Sequence, residues 1–298
     1  MLSGVFTPMV TGFDGEGRVD VEGNRRIVEH VIGGGVDGIL FLGSIGEFFA
    51  MTVEERKQFA RFAVEAVAGR AAVLVGTGGT VVEEVVELTR DAAECGADAA
   101  VVIPPYYFAL DEESLYRYYA AVATCSELPI LLYNFPDRTG ANMSPELVAR
   151  LARDFPTIVG LKDTVDTISH TRAVIGRVKP ERPDFAILSG FDEYLVGNLL
   201  AGGDGLIGGM SNIAPSLLTG IRDAFAAGDL AGVAAGQRRL SVLMGLYGLS
   251  EPFVAAIKGA VSMVVPGVCP ACRPPTGELT DEQRAAIRET LLVAGVLT

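Results

Sequence analysis

Of the 24 basic side chains in this 298-residue chain, only four are lysines: Lys57, Lys162, Lys179 and Lys258. Lysine is mostly a surface residue, so one that follows an apolar run asks for a reason. Lys162 closes the run Ile158-Val159-Gly160-Leu161. Burial there disfavours an ammonium and releases a neutral amine, which attacks a ketone to form a Schiff base. Its protonated nitrogen draws electrons from the neighbouring carbon, as making or breaking a carbon-carbon bond beside a 2-keto acid requires. The alternative use of Lys162 is a buried salt bridge, with Asp163 as its partner. Lys57, in a charged helix turn with Glu54, Glu55 and Arg56, and Lys179, before Pro180 in a loop, read as surface residues. Lys258 follows Phe253-Val254-Ala255-Ala256-Ile257 and reads as a lysine reaching the edge of an otherwise apolar helix; a second nucleophile is the other reading.

Two further stretches could serve the same chemistry. Tyr133 ends another apolar run, Ile130 to Tyr133. A tyrosine there is ordinarily core, with its hydroxyl satisfied at the rim. One strand from Lys162, it is a candidate proton donor and acceptor for carbinolamine formation and carbon-carbon cleavage. The run ending Phe41-Leu42 is followed by Gly43-Ser44-Ile45-Gly46-Glu47. Its glycines allow close backbone approach, and the amides of a turn leading into a helix suit a carboxylate; a plain tight turn is the alternative. Cys269-Pro270-Ala271-Cys272 is a C-x-x-C, but structural zinc needs four ligands. The two histidines, His30 and His170, lie far from it in sequence, and no metal site is expected.

Positioning these residues requires a scaffold that brings strand ends together. Short apolar runs recur at Val5 to Val10, Gly38 to Leu42, Ala72 to Gly76, Ala99 to Ile103, Ile130 to Tyr133, Ile158 to Lys162, Phe185 to Leu188 and Gly205 to Ile207. Most are followed by helical periodicity with start signals. Thr52/Glu55 and Thr80/Glu83 have capping-box spacing, and Pro145 and Pro215 suit first helical positions. Eight such units predict a parallel (β/α)8 TIM barrel, with chemistry at the C-terminal ends of its strands. An open doubly wound sheet would usually carry a glycine loop after a strand. Gly33, Gly35 and Gly38 match G-x-G-x-x-G but precede a strand. The barrel is expected over residues 1–227 and a C-terminal helical extension over 228–298, with helices at 229–247, 251–264 and 280–295 and a loop at 267–277.

Composition bounds the partners. Hydrophobic residues are 49% and charged ones 20%, enough for a sizeable core, and the net charge is −13. Such a chain lacks the basic footprint of a nucleic-acid or anionic-membrane binder, so an anionic ligand must be held locally. No uninterrupted apolar run of about 18 residues suggests a membrane span. Met1 to Thr11 lacks the features of a signal peptide, and four scattered cysteines do not form a disulfide framework. A cytoplasmic location is expected.

Gly43-Ser44-Ile45-Gly46-Glu47, Tyr133-Asn134-Phe135-Pro136, Gly160-Leu161-Lys162-Asp163 and Gly203-Asp204-Gly205, in this order and spacing, resemble the dihydrodipicolinate synthase/N-acetylneuraminate lyase family of class I aldolases. The likeness covers nearly the whole chain. It implies a (β/α)8 barrel with a helical extension, usually a homotetramer, needing no metal or organic cofactor. It also implies that Lys162 forms the Schiff base with pyruvate or a related 2-keto acid. Tyr133 would shuttle the proton, linked through Ser44 to Tyr107 of a neighbouring subunit. Most relatives carry a hydroxyl residue or glycine where Ile45 stands here, leaving the carboxylate to backbone amides and Ser44.

The motifs look most like aldolases for 2-keto-3-deoxy sugar acids, which release pyruvate and an aldehyde. Gly190, Asp192 and Glu193 resemble the segment with which sialic acid lyases hold polyol hydroxyls, and Ile207, ending the eighth run, joins the expected substrate-binding set. Arg138 resembles the arginine with which 4-hydroxy-tetrahydrodipicolinate synthases hold aspartate semialdehyde, and a guanidinium suits a carboxylate. That synthase is the alternative; a sugar-acid dehydratase, an N-acetylneuraminate lyase and a non-catalytic keto-acid sensor are further ones.

Overall fold

Eight short strands alternate with helices in a computed structural model that describes residues 2–298. The strands are β1 (Gly4–Pro8), β2 (Gly38–Phe41), β3 (Ala72–Gly76), β4 (Ala99–Val102), β5 (Ile130–Asn134), β6 (Ile158–Asp163), β7 (Ala186–Ser189) and β8 (Gly205–Ile207). All eight expected runs are strands, shifted by at most two residues at an end. They close into a barrel in sequence order. Almost every strand residue is buried, because a parallel sheet covered by helices has no wet face.

The helices are α1 (Val21–Gly33), α2 (Val53–Val67), α3 (Val82–Glu94), α4 (Glu112–Ala123), α5 (Pro136–Thr139), α6 (Pro145–Asp154), α7 (Ile168–Val178), α8 (Leu195–Leu200), α9 (Pro215–Ala226), α10 (Leu230–Leu243), α11 (Val254–Val264) and α12 (Asp281–Val293). Ser144 caps α6, and the Thr52/Glu55 and Thr280/Gln283 boxes close as expected. The Thr80/Glu83 box does not form. Helix α3 begins at Val82 with Val81 as an extended N-cap. The exit of β3 is held instead by Arg56, which donates to Gly76 O at 3.1 Å and Gly78 O at 2.9 Å.

The chain divides into two compact units. One, built mainly from Thr52–Ile207, carries β3 to β8 and α2 to α8, with every neighbouring strand pair parallel. The other joins Val5–Met51 to Gly208–Thr298. In it Asn212 donates to Pro8 O at 2.9 Å and accepts from Val10 N at 3.0 Å, tying the exit of β1 to the turn before α9. Its helix α11 is buried on all sides from Val254 to Val261. No helix among the described residues is long and apolar enough to cross a membrane.

Candidate active site

Strands β5 and β6 run in register, with Tyr133 opposite Lys162 and Asn134 opposite Asp163. Successive strand side chains alternate faces, so Lys162 and Tyr133 share one face and Asn134 and Asp163 the other. Each of the first two is only 4% exposed. Lys162 Nζ lies 4.0 Å from the centroid of the Tyr133 ring, which in turn stacks on Phe135 at 5.8 Å. The amine is thus held against an aromatic face at the end of its strand, with a phenol on the neighbouring strand.

The alternation also disposes of the salt bridge considered for Lys162. Asp163 faces the helix layer, where Oδ1 accepts from Asn134 Nδ2 at 2.9 Å and Oδ2 accepts from Thr171 Oγ1 at 2.7 Å. His170 Nδ1 lies 2.9 Å from the same Oδ2 and His170 Nε2 lies 3.0 Å from Met143 O. Hydrogen bonding to Asp163 outweighs partial burial and raises the His170 pKa above 6.5. Asn134 Oδ1 accepts from Met143 N at 3.1 Å, fastening the segment after α5 to the end of β5. Sequence reasoning missed this network. The available signal was a buried acid whose histidine and threonine partners stand seven and eight positions on, at the start of the next helix.

Apart from Ser44 and Ile45, the remaining residues expected in the site belong to the same unit. Gly190, after β7, donates to Asp163 O at 2.8 Å, and the Thr164 side chain fills the space a Cβ there would need. Thr164 was not among the expected residues. Its Oγ1 is buried and hydrogen-bonds to nothing among the described residues. Asp192 is buried and Glu193 half-buried in a 3-10 turn, while Ile207 is buried at the end of β8. Tyr194, next in that turn, donates to Asp166 Oδ1 at 2.7 Å, and this bond raises its pKa to about 12. Arg138 lies on α5, exposed, with its guanidinium carbon 5.8 Å from the Phe135 centroid. Tyr107 is 90% exposed, stacks edge-on with exposed Phe108, and has φ 103. Non-glycine residues are uncommon at such φ values.

The β2 turn belongs to the other unit. It leads not into an α-helix but into a single 3-10 turn, Phe48–Ala50, before α2. A Cβ on Gly46 would lie 3.0 Å from Met9 O and 3.3 Å from the Gly43 backbone, closer than an ordinary contact, and the Gly46 carbonyl accepts from Thr11 Oγ1 at 2.6 Å. Ser44 is half-buried and Ile45 buried. Neither the Ile45 nor the Gly46 amide donates to a protein acceptor among the described residues. The turn therefore offers N–H groups, though without the dipole of a long helix behind them.

The other three lysines are all paired. Lys57 bonds Glu87, and Lys179 caps α7 and reaches Asp204 at 2.8 Å. Lys258 contradicts the helix-edge expectation. It has no accessible surface and forms an ion pair with the equally buried Glu47. It also donates to Ala271 O at 3.0 Å and lies 4.5 Å from the Phe13 ring centroid. Because α11 is buried all round, it offers no edge to reach. Cys269 and Cys272 are free thiols, Cys272 pushed up to about 11 chiefly by burial. Among the described residues no three His, Cys, Asp or Glu side chains are grouped to hold a metal.

Comparisons with known proteins agree with this fold. Residues 1–294 match the model of the dihydrodipicolinate synthetase family. The putative 2-dehydro-3-deoxy-D-gluconate aldolase YagE of Escherichia coli K12 is 41% identical over 292 residues, 98% of this chain and 96% of that protein. The crystal structure of YagE in complex with pyruvate superimposes with a TM-score of 0.97 at 39% identity over the whole of both chains. The probable 2-dehydro-3-deoxy-D-pentonate aldolase YjhH of the same organism is 39% identical, covering 99% of this chain and 98% of that protein. The 4-hydroxy-tetrahydrodipicolinate synthase of Symbiobacterium thermophilum is 36% identical, covering 98% of each. A buried lysine beside a tyrosine on adjoining barrel strands, in a chain matched from end to end, leads to one conclusion: the chain belongs to the dihydrodipicolinate synthetase family.

Proposed function

We propose that this chain is a class I aldolase whose Lys162 forms a Schiff base with a 2-keto acid, and that it cleaves a 2-keto-3-deoxy sugar acid to pyruvate and an aldehyde. The observation that carries the reading is the buried Lys162 amine lying 4.0 Å from the Tyr133 ring. The 41% and 39% identical relatives, a putative 2-dehydro-3-deoxy-D-gluconate aldolase and a probable 2-dehydro-3-deoxy-D-pentonate aldolase, support the sugar-acid class.

The chemistry follows from where charge moves. The neutral Lys162 amine adds to the C2 carbonyl, and Tyr133 gives its proton to the carbinolamine hydroxyl, which leaves as water, so that an iminium and a phenolate result. Tyr133 accepts the C4 hydroxyl proton as the C3–C4 bond breaks, and the bonding electrons pass into the iminium as an enamine. An aldehyde leaves. Protonation of the enamine at C3, then addition of water and expulsion of Lys162, releases pyruvate. Ser44 is assigned the hydroxyl that relays protons to and from Tyr133. Tyr107 of a neighbouring copy is assigned the far end of that relay in a homotetramer, a role supported by its exposure and unusual backbone. Ser44 and the Ile45 and Gly46 amides are assigned the keto-acid carboxylate, and Thr164, Gly190, Asp192, Glu193 and Ile207 the rest of the substrate. Residues 228–298 are taken as the extension to the barrel.

Borohydride reduction in the presence of pyruvate tests the mechanism, with an adduct expected on Lys162 by peptide mass. An unmodified Lys162 would overturn it. Arg138 and the 36% identical synthase favour a second reading, condensation of pyruvate with aspartate semialdehyde. Assaying both reactions on one preparation decides between them.

A further inference from the structure

Glu47 is a charged residue with no accessible surface, one position beyond the turn amides that the proposed function assigns to the substrate carboxylate. Its backbone is left-handed, at φ 55. Both carboxylate oxygens are committed: Oε1 to Lys258 Nζ, and Oε2 to Arg273 N–H at 3.0 Å. The Arg273 side chain then spans to Ala50 O at 3.0 Å and Gly17 O at 2.8 Å. The stretch from Glu47 to Ala50 is therefore anchored at both ends on the segment 271–273, whose Ala271 carbonyl is itself held by Lys258. All of these groups belong to one unit.

Stability is a weak reason for such a pair. Desolvating two charges costs about as much as their attraction returns, and apolar replacements of buried pairs are often neutral or better. Fixing position is the better-attested use, and here the fixed object is the turn. With Ile45 offering no hydroxyl, the grip on a carboxylate depends on where the Ile45 and Gly46 amides point. A donor turned away from its acceptor loses much of a charge-assisted hydrogen bond, because such bonds weaken steeply off line. We propose that Glu47, Lys258 and Arg273 are positioning residues that hold the β2 turn so that its amides bind the keto-acid carboxylate. This rests on the proposed function, because the turn matters to binding only if a 2-keto acid is the substrate.

The test compares borohydride trapping of Lys162 by pyruvate and by acetone, a ketone without a carboxylate, in the wild type and in Glu47→Gln. The substitution keeps the side-chain shape and removes the charge. Half-saturating pyruvate is expected to rise about tenfold, the equivalent of about 1.4 kcal/mol, with the limiting trapping rate and the acetone reaction unchanged. If E47Q does not fold, the double variant E47Q/K258M removes both charges together and carries the same readout. An unchanged pyruvate dependence, or equal losses with pyruvate and acetone, would overturn the inference while leaving the proposed function standing. A wild type that neither ketone modifies overturns both.

Discussion

Replacing Tyr133 by Phe isolates the phenolic hydroxyl from everything else the residue does. The ring is buried, stacks on Phe135 at 5.8 Å and supports Lys162 Nζ at 4.0 Å. Phe preserves all three features, so the lysine keeps its place. Stability should change by no more than about 1 kcal/mol, the typical net worth of one hydrogen bond. The hydroxyl's share of catalysis is larger. General acid-base groups contribute about 10²- to 10⁴-fold, or about 2.7–5.4 kcal/mol of barrier at 1.36 kcal/mol per decade. The assay is the steady-state retro-aldol rate, coupled to pyruvate detection, beside single-turnover borohydride trapping. Y133F should lose kcat by that factor while KM moves little, and Lys162 should still be trapped given longer times. A Y133F enzyme with kcat within about threefold of wild type would refute the proton-shuttle role. Equal loss of trapping and folded protein would instead show the residue to be core.

Two further outcomes follow from groups that the structure brings to light. Thr164→Val removes a buried hydroxyl without a partner among the described residues, so the folded protein should be as stable or gain about 1 kcal/mol, while KM for a polyol acid rises about tenfold; a destabilised variant with unchanged KM would contradict this. His170→Asn addresses pH. Asp163 Oδ2 and Met143 O are both acceptors, so both ring nitrogens donate only in the imidazolium form. The folded pKa lies above 6.5. The stabilisation is therefore complete below the unfolded value and disappears as pH rises through the folded one. In urea melts, the gap between wild type and H170N should narrow from about pH 6 to pH 9, and a constant gap would show that His170 is not titrating.

How much of this was legible in the sequence depended on the distance over which each interaction acts. The strands and the placement of Lys162 and Tyr133 are local: an apolar run a few residues long, ended by a polar residue, means the same thing wherever it occurs. Thr80 shows the limit of local pattern: its spacing to Glu83 fits a capping box, yet α3 starts two residues later at Val82, and the exit of β3 is bonded to Arg56, more than 20 positions earlier. Asp163 was readable and misread. In a strand the neighbour of an inward lysine must point outward, which excluded it as the lysine's partner and directed attention to the next helix. Lys258 was not readable in this way, because its partner Glu47 is 211 positions away. The faint signal was a pair of opposite charges, each inside an otherwise apolar stretch.

The same comparison changes what the acidic composition means for the site. A chain of net charge −13 that is to bind an anion would ordinarily hold a free cation for it. Lys258, however, is committed to Glu47, and Lys57 and Lys179 are each committed to a carboxylate. In the proposed mechanism the nucleophile is the neutral amine of Lys162, which leaves no cation there for the carboxylate. Before the reaction, the turn amides and the Ser44 hydroxyl are what the proposed site offers the substrate carboxylate. Once the carbonyl has been captured, the iminium places a full positive charge one bond from the carbon bearing that carboxylate, an attraction absent from the free keto acid and given up again as the electrons of the breaking bond neutralise the nitrogen. Binding energy that appears only along the reaction raises kcat, whereas energy spent on the free keto acid lowers KM alone. A rigid cradle of dipoles, held from behind by a buried ion pair, fits that division of labour better than a cation would. A cation in the cradle would bind pyruvate tightly from the outset and would oppose formation of the iminium beside it.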